Sequence, residues 1–196
     1  RPLLLDFSGD GRLDAAVPSN DEHHLALFHG RAGGSLKAAG RIPCGEGGAA
    51  LAAFDLEGDG DLDLAQANIH SGDLCVFVGD GRGAFRLHTV LEIGGYANGV
   101  VAADFDRDGH VDLAAIAWDD RQRGGARDDG PLGDGVVVVL RGDGQGGLKE
   151  WSRPAVGTSP NEVWALDLNS DGATDLLTLN SNGRSLTILE GDGCRG

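Results

Sequence analysis

One nine-residue frame occurs four times in this chain, and its spacing limits what the chain can fold into. The copies are DFSGDGRLD from Asp6, DLEGDGDLD from Asp55, DFDRDGHVD from Asp104 and DLNSDGATD from Asp167. Their starts lie 49, 49 and 63 residues apart, so two equal intervals fix a unit length and the third is one unit plus 14 residues. Units of this length are the mark of a repeat architecture, in which each unit buries its apolar face against its neighbours. The surplus falls in DDRQRGGARDDGPLGD, Asp119 to Asp134, which has no apolar period and reads as a surface loop inserted in the third unit.

Within each unit the apolar residues come in runs too short for helices and rich in Val, Leu, Ile and Phe, which predicts strands. In the second unit the runs are Ala50 to Asp55, Leu62 to Ala67, Leu74 to Val78 and Phe85 to Leu91, denoted A to D. The first unit repeats them as Leu3 to Asp6, Leu13 to Val17, Leu25 to His29 and Leu36 to Ile42. The third has Val100 to Asp104, Val111 to Ala117, Val136 to Arg141 and Leu148 to Arg153. The fourth has Glu162 to Asp167, Thr174 to Leu179 and Leu186 to Glu190, without a D strand. The acidic frame is thus the A–B turn, and a glycine-rich segment such as GDGRG from Gly79 is the C–D turn. Gly makes up 34 of 196 residues, which suits many tight turns.

A four-stranded antiparallel meander repeated in tandem predicts an all-β fold, a β-propeller. The blades fall at about 1–43, 44–92, 93–154 with the insertion at 119–134, and 155–196. The small pairs Ala52-Ala53 and Ala102-Ala103 suit innermost strands crowded around an axis. A solenoid of shorter coils is the alternative. With a final blade that lacks its D strand, fifteen strands are expected, and the segment is expected to be part of a larger propeller.

The frame places oxygen-bearing side chains at positions one, three, five and nine, a glycine at six and a backbone carbonyl at seven. Hard cations such as Ca2+ take six to eight oxygens at about 2.3–2.6 Å, and alternate residues of a tight loop can supply them. The candidate ligand sets are Asp6, Ser8, Asp10, Arg12 and Asp14; Asp55, Glu57, Asp59, Asp61 and Asp63; Asp104, Asp106, Asp108, His110 and Asp112; and Asp167, Asn169, Asp171, Ala173 and Asp175. Arg12, Asp61, His110 and Ala173 enter through their carbonyls. An EF-hand loop would need Glu at position twelve, where this chain has Val17, Gln66, Ala115 and Thr178, so the sites are strand–loop–strand. Loops with neutral Ser8 or Asn169 should bind more weakly, and Glu57 is longer than the usual residue at its position. Calcium in these loops is expected to staple each blade together, contributing stability and not function; the other reading is that these carboxylates only cap turn amides.

The net charge of −15, from 31 acids and 16 bases, argues against nucleic acid as a partner. Four Ca2+ ions would bring −15 to −7. No apolar run approaches the roughly 20 residues of a membrane span. Arg1 is not an initiator, so a leader could have been removed. Cys44, Cys75 and Cys194 have no zinc spacing; Cys44 with Cys75 could pair in an oxidising compartment, or all could be free thiols.

Strand direction alternates, so the A–B and C–D turns share one face of the disc. The other face collects Tyr96, Asn98, Trp118 and Asn161 as candidate ligand-binding residues. Asn98 and Asn161 stand at the same place in their units; they either meet a partner or cap turns, and Trp118 either stacks on a sugar or packs on the rim. Arg141-Gly142-Asp143 spells an adhesion tripeptide but occupies a C–D turn, like Gly79-Asp80-Gly81, and reads as turn chemistry. No nucleophile motif or phosphate loop is present, so no catalysis is expected.

The segments DFSGDGRLDAAV, DLEGDGDLDLAQA, DFDRDGHVDLAAI and DLNSDGATDLLTL resemble the calcium loops of the FG-GAP or VCBS repeat family. That family is similar to the propellers of integrin alpha subunits and of secreted lectin-like proteins. The Phe-Gly and Gly-Ala-Pro signatures that name it are not present as such. The resemblance implies a seven-bladed parent fold, about four calcium sites in the A–B loops, an extracellular or cell-surface location and a role in adhesion or in glycan or protein recognition. Two other roles stay open: the accessory propeller of a secreted polysaccharide-acting enzyme with catalytic residues elsewhere, and an architectural spacer.

Overall fold

A computed structural model describes residues 1–118 and 134–191. All regular structure among these residues is strand. The first sheet is β1 (Leu3–Leu5), β2 (Asp14–Pro18), β3 (His24–Gly30) and β4 (Leu36–Pro43), paired in that order. The second is β5 (Gly48–Phe54), β6 (Asp63–Asn68), β7 (Asp73–Gly79) and β8 (Phe85–Glu92). The third is β9 (Ala97–Ala103), β10 (Asp112–Trp118), β11 (Asp134–Gly142) and β12 (Leu148–Ser152), with β13 (Ala155–Thr158) added against β11. The fourth is β14 (Pro160–Leu166), β15 (Asp175–Asn180) and β16 (Ser185–Leu189). Every pairing is antiparallel.

The meander agrees with the pattern of apolar runs, and two details differ. Inner strands β5, β9 and β14 start earlier than their apolar runs, because their first residues are Gly48, Ala97-Asn98 and Pro160-Asn161, which carry little apolar signal. The described residues also hold sixteen strands, not fifteen. Strand β12 pairs with the far half of β11 from Val139 to Gly142, and β13 covers the bare edge of the near half, Asp134 to Val136. The expected insertion lies outside the described residues except Asp134, where β11 begins.

Three apolar clusters lie between successive sheets, and this is what makes the sheets a stack. Phe7, Leu25, Leu27, Leu64 and Phe77 join the first to the second. Leu56, Val76, Ile93, Leu113 and Val138 join the second to the third, and Phe105, Ile116, Val137, Val163 and Leu176 the third to the fourth. Fully buried side chains such as Phe77 and Leu113 each contribute about 1.5–3 kcal/mol. Among the described residues no such cluster joins the fourth sheet to the first, so the stack is not closed. Strands β5, β9 and β14 pack side by side at the inner edge, which leaves the acidic loops at one end of these strands and Asn98 and Asn161 at the other.

Candidate metal centre in the A–B loops

The ninth-position carboxylates form the base of every loop. Asp14, Asp63, Asp112 and Asp175 are all buried. One oxygen of each accepts the amide of the loop's second residue, from Phe7 at 3.1 Å, Leu56 at 2.7 Å, Phe105 at 2.9 Å and Leu168 at 2.9 Å. The other accepts the amide of a glycine at the end of strand C: Gly30 at 2.7 Å, Gly79 at 2.9 Å, Gly142 at 2.9 Å and Gly191 at 2.8 Å. A Cβ on these four glycines would meet the backbone oxygen of the loop's eighth residue at 2.4, 2.2, 2.1 and 2.4 Å respectively. The A–B loop and the C–D turn are therefore one unit, pressed together backbone to backbone. Sequence reasoning missed these glycines. The signal was there: each stands 16 residues after its aspartate, or 30 where the insertion intervenes.

Burial pushes the Asp63 and Asp112 carboxyls above the usual range, with the amides they accept pulling the other way. A cation beside such a carboxylate offsets that cost. Each oxygen of Asp63 and Asp112 accepts one amide and keeps further lone-pair capacity, whereas Asp14 Oδ2 also accepts the Ser8 amide at 3.1 Å.

At position one, Asp6, Asp55 and Asp167 accept the amide of position six through one oxygen, at 2.7, 2.9 and 2.9 Å. Their other oxygen accepts the amide of position five, at 3.2, 3.1 and 3.2 Å. The position-five carboxylates of Asp10, Asp59, Asp108 and Asp171 in turn accept the amide of position seven at 2.7–2.9 Å. The backbone hydrogen bonds hold the Asp6 and Asp171 carboxyls below the usual range, from Gly11 foremost in the first and Ala173 in the second. The glycine at position six is left-handed, with φ of +90° at Gly109, which a side chain would strain.

The third loop departs from this pattern. The Asp108 amide goes to Asp106 at 3.0 Å, and Asp104 keeps only the amide of Gly109 at 3.0 Å. Asp104 Oδ1 is left buried with no hydrogen-bond partner. Oxygens of Asp104, Asp106 and Asp108 converge to within 4.8 Å of one another, the one such acidic cluster among the described residues. Asp106 is buried and forms an ion pair with Arg141, whose guanidinium lies 4.2 Å over the Trp151 ring. An orphaned buried carboxylate oxygen inside three converging carboxylates fits a hard divalent cation.

The other loops are less assembled. In the first, Ser8 Oγ donates to Asp6 at 3.4 Å, and in the fourth, Asn169 Nδ2 donates to Asp171 at 2.8 Å. In the second, Glu57 does not join a converging acidic set. At position seven, Arg12 pairs with Asp10 at 2.7 Å, Asp61 and His110 abut Gly81 and Gly144 of their own C–D turns, and Ala173 is buried. Arg107 donates to the Asp171 carbonyl at 3.3 Å, linking the third loop to the fourth. His29 and His88 each bond the C–D turn of the following blade, at Gly83 O (3.1 Å) and Gly146 O (2.9 Å).

At the opposite end, Asn98 Nδ2 donates to Asn161 Oδ1 at 2.7 Å, and both line a groove of about 380 Å³ with Arg1, Leu51, Glu162 and Trp164. The Arg1 guanidinium pairs with Glu162 there. Trp118 and Tyr96 do not line it. They pack edge to face at 5.7 Å, and the Trp118 indole donates to Pro160 O at 2.8 Å. Arg141 and Gly142 end β11 and Asp143 opens the C–D turn, where Asp143 Oδ1 accepts the amides of Gln145 and Gly147 at 2.8 Å each, while Arg141 is engaged by Asp106 and Trp151.

Stacked antiparallel meander sheets, with the same acidic loop at the same turn of each, define a repeat protein of the β-propeller class. The chain belongs to the FG-GAP-like repeat family, which matches residues 6–66 and 55–115. No curated protein matches it. Among solved structures it resembles BBS1N, crystallised in complex with ARL6DN, with a TM-score of 0.57 and 13% identity over 97% of this chain and 56% of that one. It also resembles a Bacillus licheniformis rhamnogalacturonan lyase, with a TM-score of 0.57 and 15% identity over 94% of this chain and 41% of the lyase. The chain thus spans little more than half the length of the first and less than half of the second.

Proposed function

We propose that the chain is a non-catalytic, calcium-binding propeller segment of an extracellular or cell-surface protein, serving adhesion or the recognition of a glycan or protein. The observation that carries the metal reading is the buried, partnerless Asp104 Oδ1 within the Asp104, Asp106 and Asp108 cluster. Asp104, Asp106, Asp108 and Asp112 would hold the ion in the third loop, with the corresponding residues of the other loops as weaker sites. A bound calcium supplies charge neutralisation between carboxylates that otherwise repel. The protein's own part is to hold the base of the loop, with Asp112 tied to Gly142.

The recognition reading rests on the groove at the far end of the inner strands, where Asn98 and Asn161 present amide groups beside Glu162. Amide and carboxylate groups of this kind hydrogen-bond hydroxyls and peptide groups alike. A net charge of −15 disfavours nucleic acid as the partner. The likeness to a rhamnogalacturonan lyase favours a second reading, a propeller within a polysaccharide-acting protein.

Titration calorimetry tests the metal reading. Calcium should bind in up to about four events, Asp108→Ala should remove the tightest, and EDTA should lower the melting temperature. Absence of binding heat together with EDTA-insensitive melting would refute it. Glycan-array binding at saturating calcium, lost in Asn98→Ala, would support the recognition reading, and no binding to glycans or proteins would leave the spacer role in its place.

A further inference from the structure

Cys44 and Cys75 belong to different blades and share one polar cluster. The Cys44 amide donates to His23 O at 3.0 Å, so this residue continues the edge pairing of the first sheet, whereas Cys75 is central in β7 of the second. The residue after Cys44, Gly45, donates its amide to Cys75 Sγ at 3.2 Å. Gln66 Nε2 donates to Cys44 Sγ at 2.9 Å and to Asn68 Oδ1 at 2.7 Å, and Asn68 Nδ2 donates to Cys75 Sγ at 3.3 Å. A carboxamide ladder therefore holds both sulfurs side by side. A Cβ at Gly45 would lie 2.4 Å from Asp73 Oδ1 and 2.5 Å from Asn68 Nδ2, so the chain passes directly over the cluster. Both thiols are free, Cys75 buried and Cys44 half-buried.

From this juxtaposition we propose that Cys44 and Cys75 form a redox-reversible disulfide that staples the first blade to the second. The co-reactant is a small-molecule disulfide of the glutathione class. Cys44, the accessible thiol, exchanges with it, giving a mixed disulfide at Cys44 and one free glutathione. The Cys75 thiolate then attacks Cys44 Sγ, the Cys44–glutathione bond breaks, and the departing thiolate takes a proton. Two protein thiols are oxidised and one glutathione disulfide is reduced to two glutathiones. Cys75 Sγ accepts the amide of Gly45 and the side-chain amide of Asn68, which favour its thiolate and suit it to the second, resolving step. The staple involves no metal ligand, so it stands or falls separately from calcium binding.

The experiment uses the Cys194→Ser chain, in which Cys44 and Cys75 are the only thiols, equilibrated with glutathione disulfide. Mass spectrometry should read the loss of two hydrogens and a peptide map a Cys44–Cys75 cross-link, with titratable thiols falling from two to none. Closing a loop of roughly 30 residues should raise the melting temperature by on the order of 5–10 °C. Dithiothreitol should reverse the gain, and Cys44→Ser, a change at a half-buried site, should abolish it while keeping the reduced protein folded. Two titratable thiols after equilibration, or glutathione retained on Cys44, would overturn the disulfide. A cross-link with no gain in melting temperature would overturn the staple.

Discussion

The Gly142 amide donates to Asp112 Oδ1 at 2.9 Å across a separation of 30 residues, and through that bond the end of β11 holds the base of the third acidic loop. A Cβ at Gly142 would sit 2.1 Å from Val111 O, so the contact leaves no room for a side chain. Gly142→Ala should therefore destabilise the protein by about 2–4 kcal/mol through displaced backbone and a weakened buried hydrogen bond. Gly40→Ala, where a Cβ meets only open space, should change stability by less than about 0.5 kcal/mol. Urea denaturation of the two variants checks the contrast.

Arg141 and calcium would compete for Asp106. The ion pair places a fixed positive charge at a buried carboxylate of the third loop. Removing it in Arg141→Ala should raise calcium affinity at that loop by roughly tenfold, the scale of one charge removed from a partly screened site. Calorimetry should show the gain in the tightest event alone, and Arg141→Lys should keep affinity near the original value.

Glu57 should limit the second loop. Its loop has carboxylates at all four side-chain ligand positions, yet they do not converge as those of the third do. Glu57→Asp should bring the second loop closer to the third and tighten its calcium binding several-fold in the same measurement. An unchanged affinity would show that side-chain length is not the limit.

Asp80 gives a pH dependence outside the acidic loops. Amides of Arg82 and Ala84 hold its carboxyl below the usual range, with Arg82 the larger influence. An acid lowered in the folded state contributes stability that is complete above the unfolded pKa of about 4 and is lost as pH falls through the folded value. Melting temperature should thus drop less on acidification below about pH 4 in Asp80→Asn than in the parent. Carboxyl NMR titration of Asp80 should place its midpoint below that of a free aspartate.

Much of the fold was legible because its signals are local. The unit length, the strand runs and the strand–loop–strand reading of the acidic frame all come from residues adjacent along the chain, such as Asp104 to Asp112. Strand β13 was not, because Ala155–Thr158 is a short run whose pairing is set by the uncovered edge of β11. The ranking of the four loops was only partly legible. Ser8 and Asn169 marked two of them as expected weaker sites and the length of Glu57 set a third apart, whereas nothing in the third loop's own residues indicated that Asp104 Oδ1 would be orphaned or that Arg141 would enter.

The sequence by itself determined a tandem all-β architecture with an acidic loop at one turn of each unit, since period and side-chain chemistry are properties of the chain read in order. The tertiary structure alone decided that the ninth-position aspartates bind glycines of the C–D turns, that one loop gathers its carboxylates, and that Cys44 and Cys75 meet across two blades. The reason is physical. These contacts join segments distant in sequence, and only the packing of sheet on sheet brings them within hydrogen-bonding range.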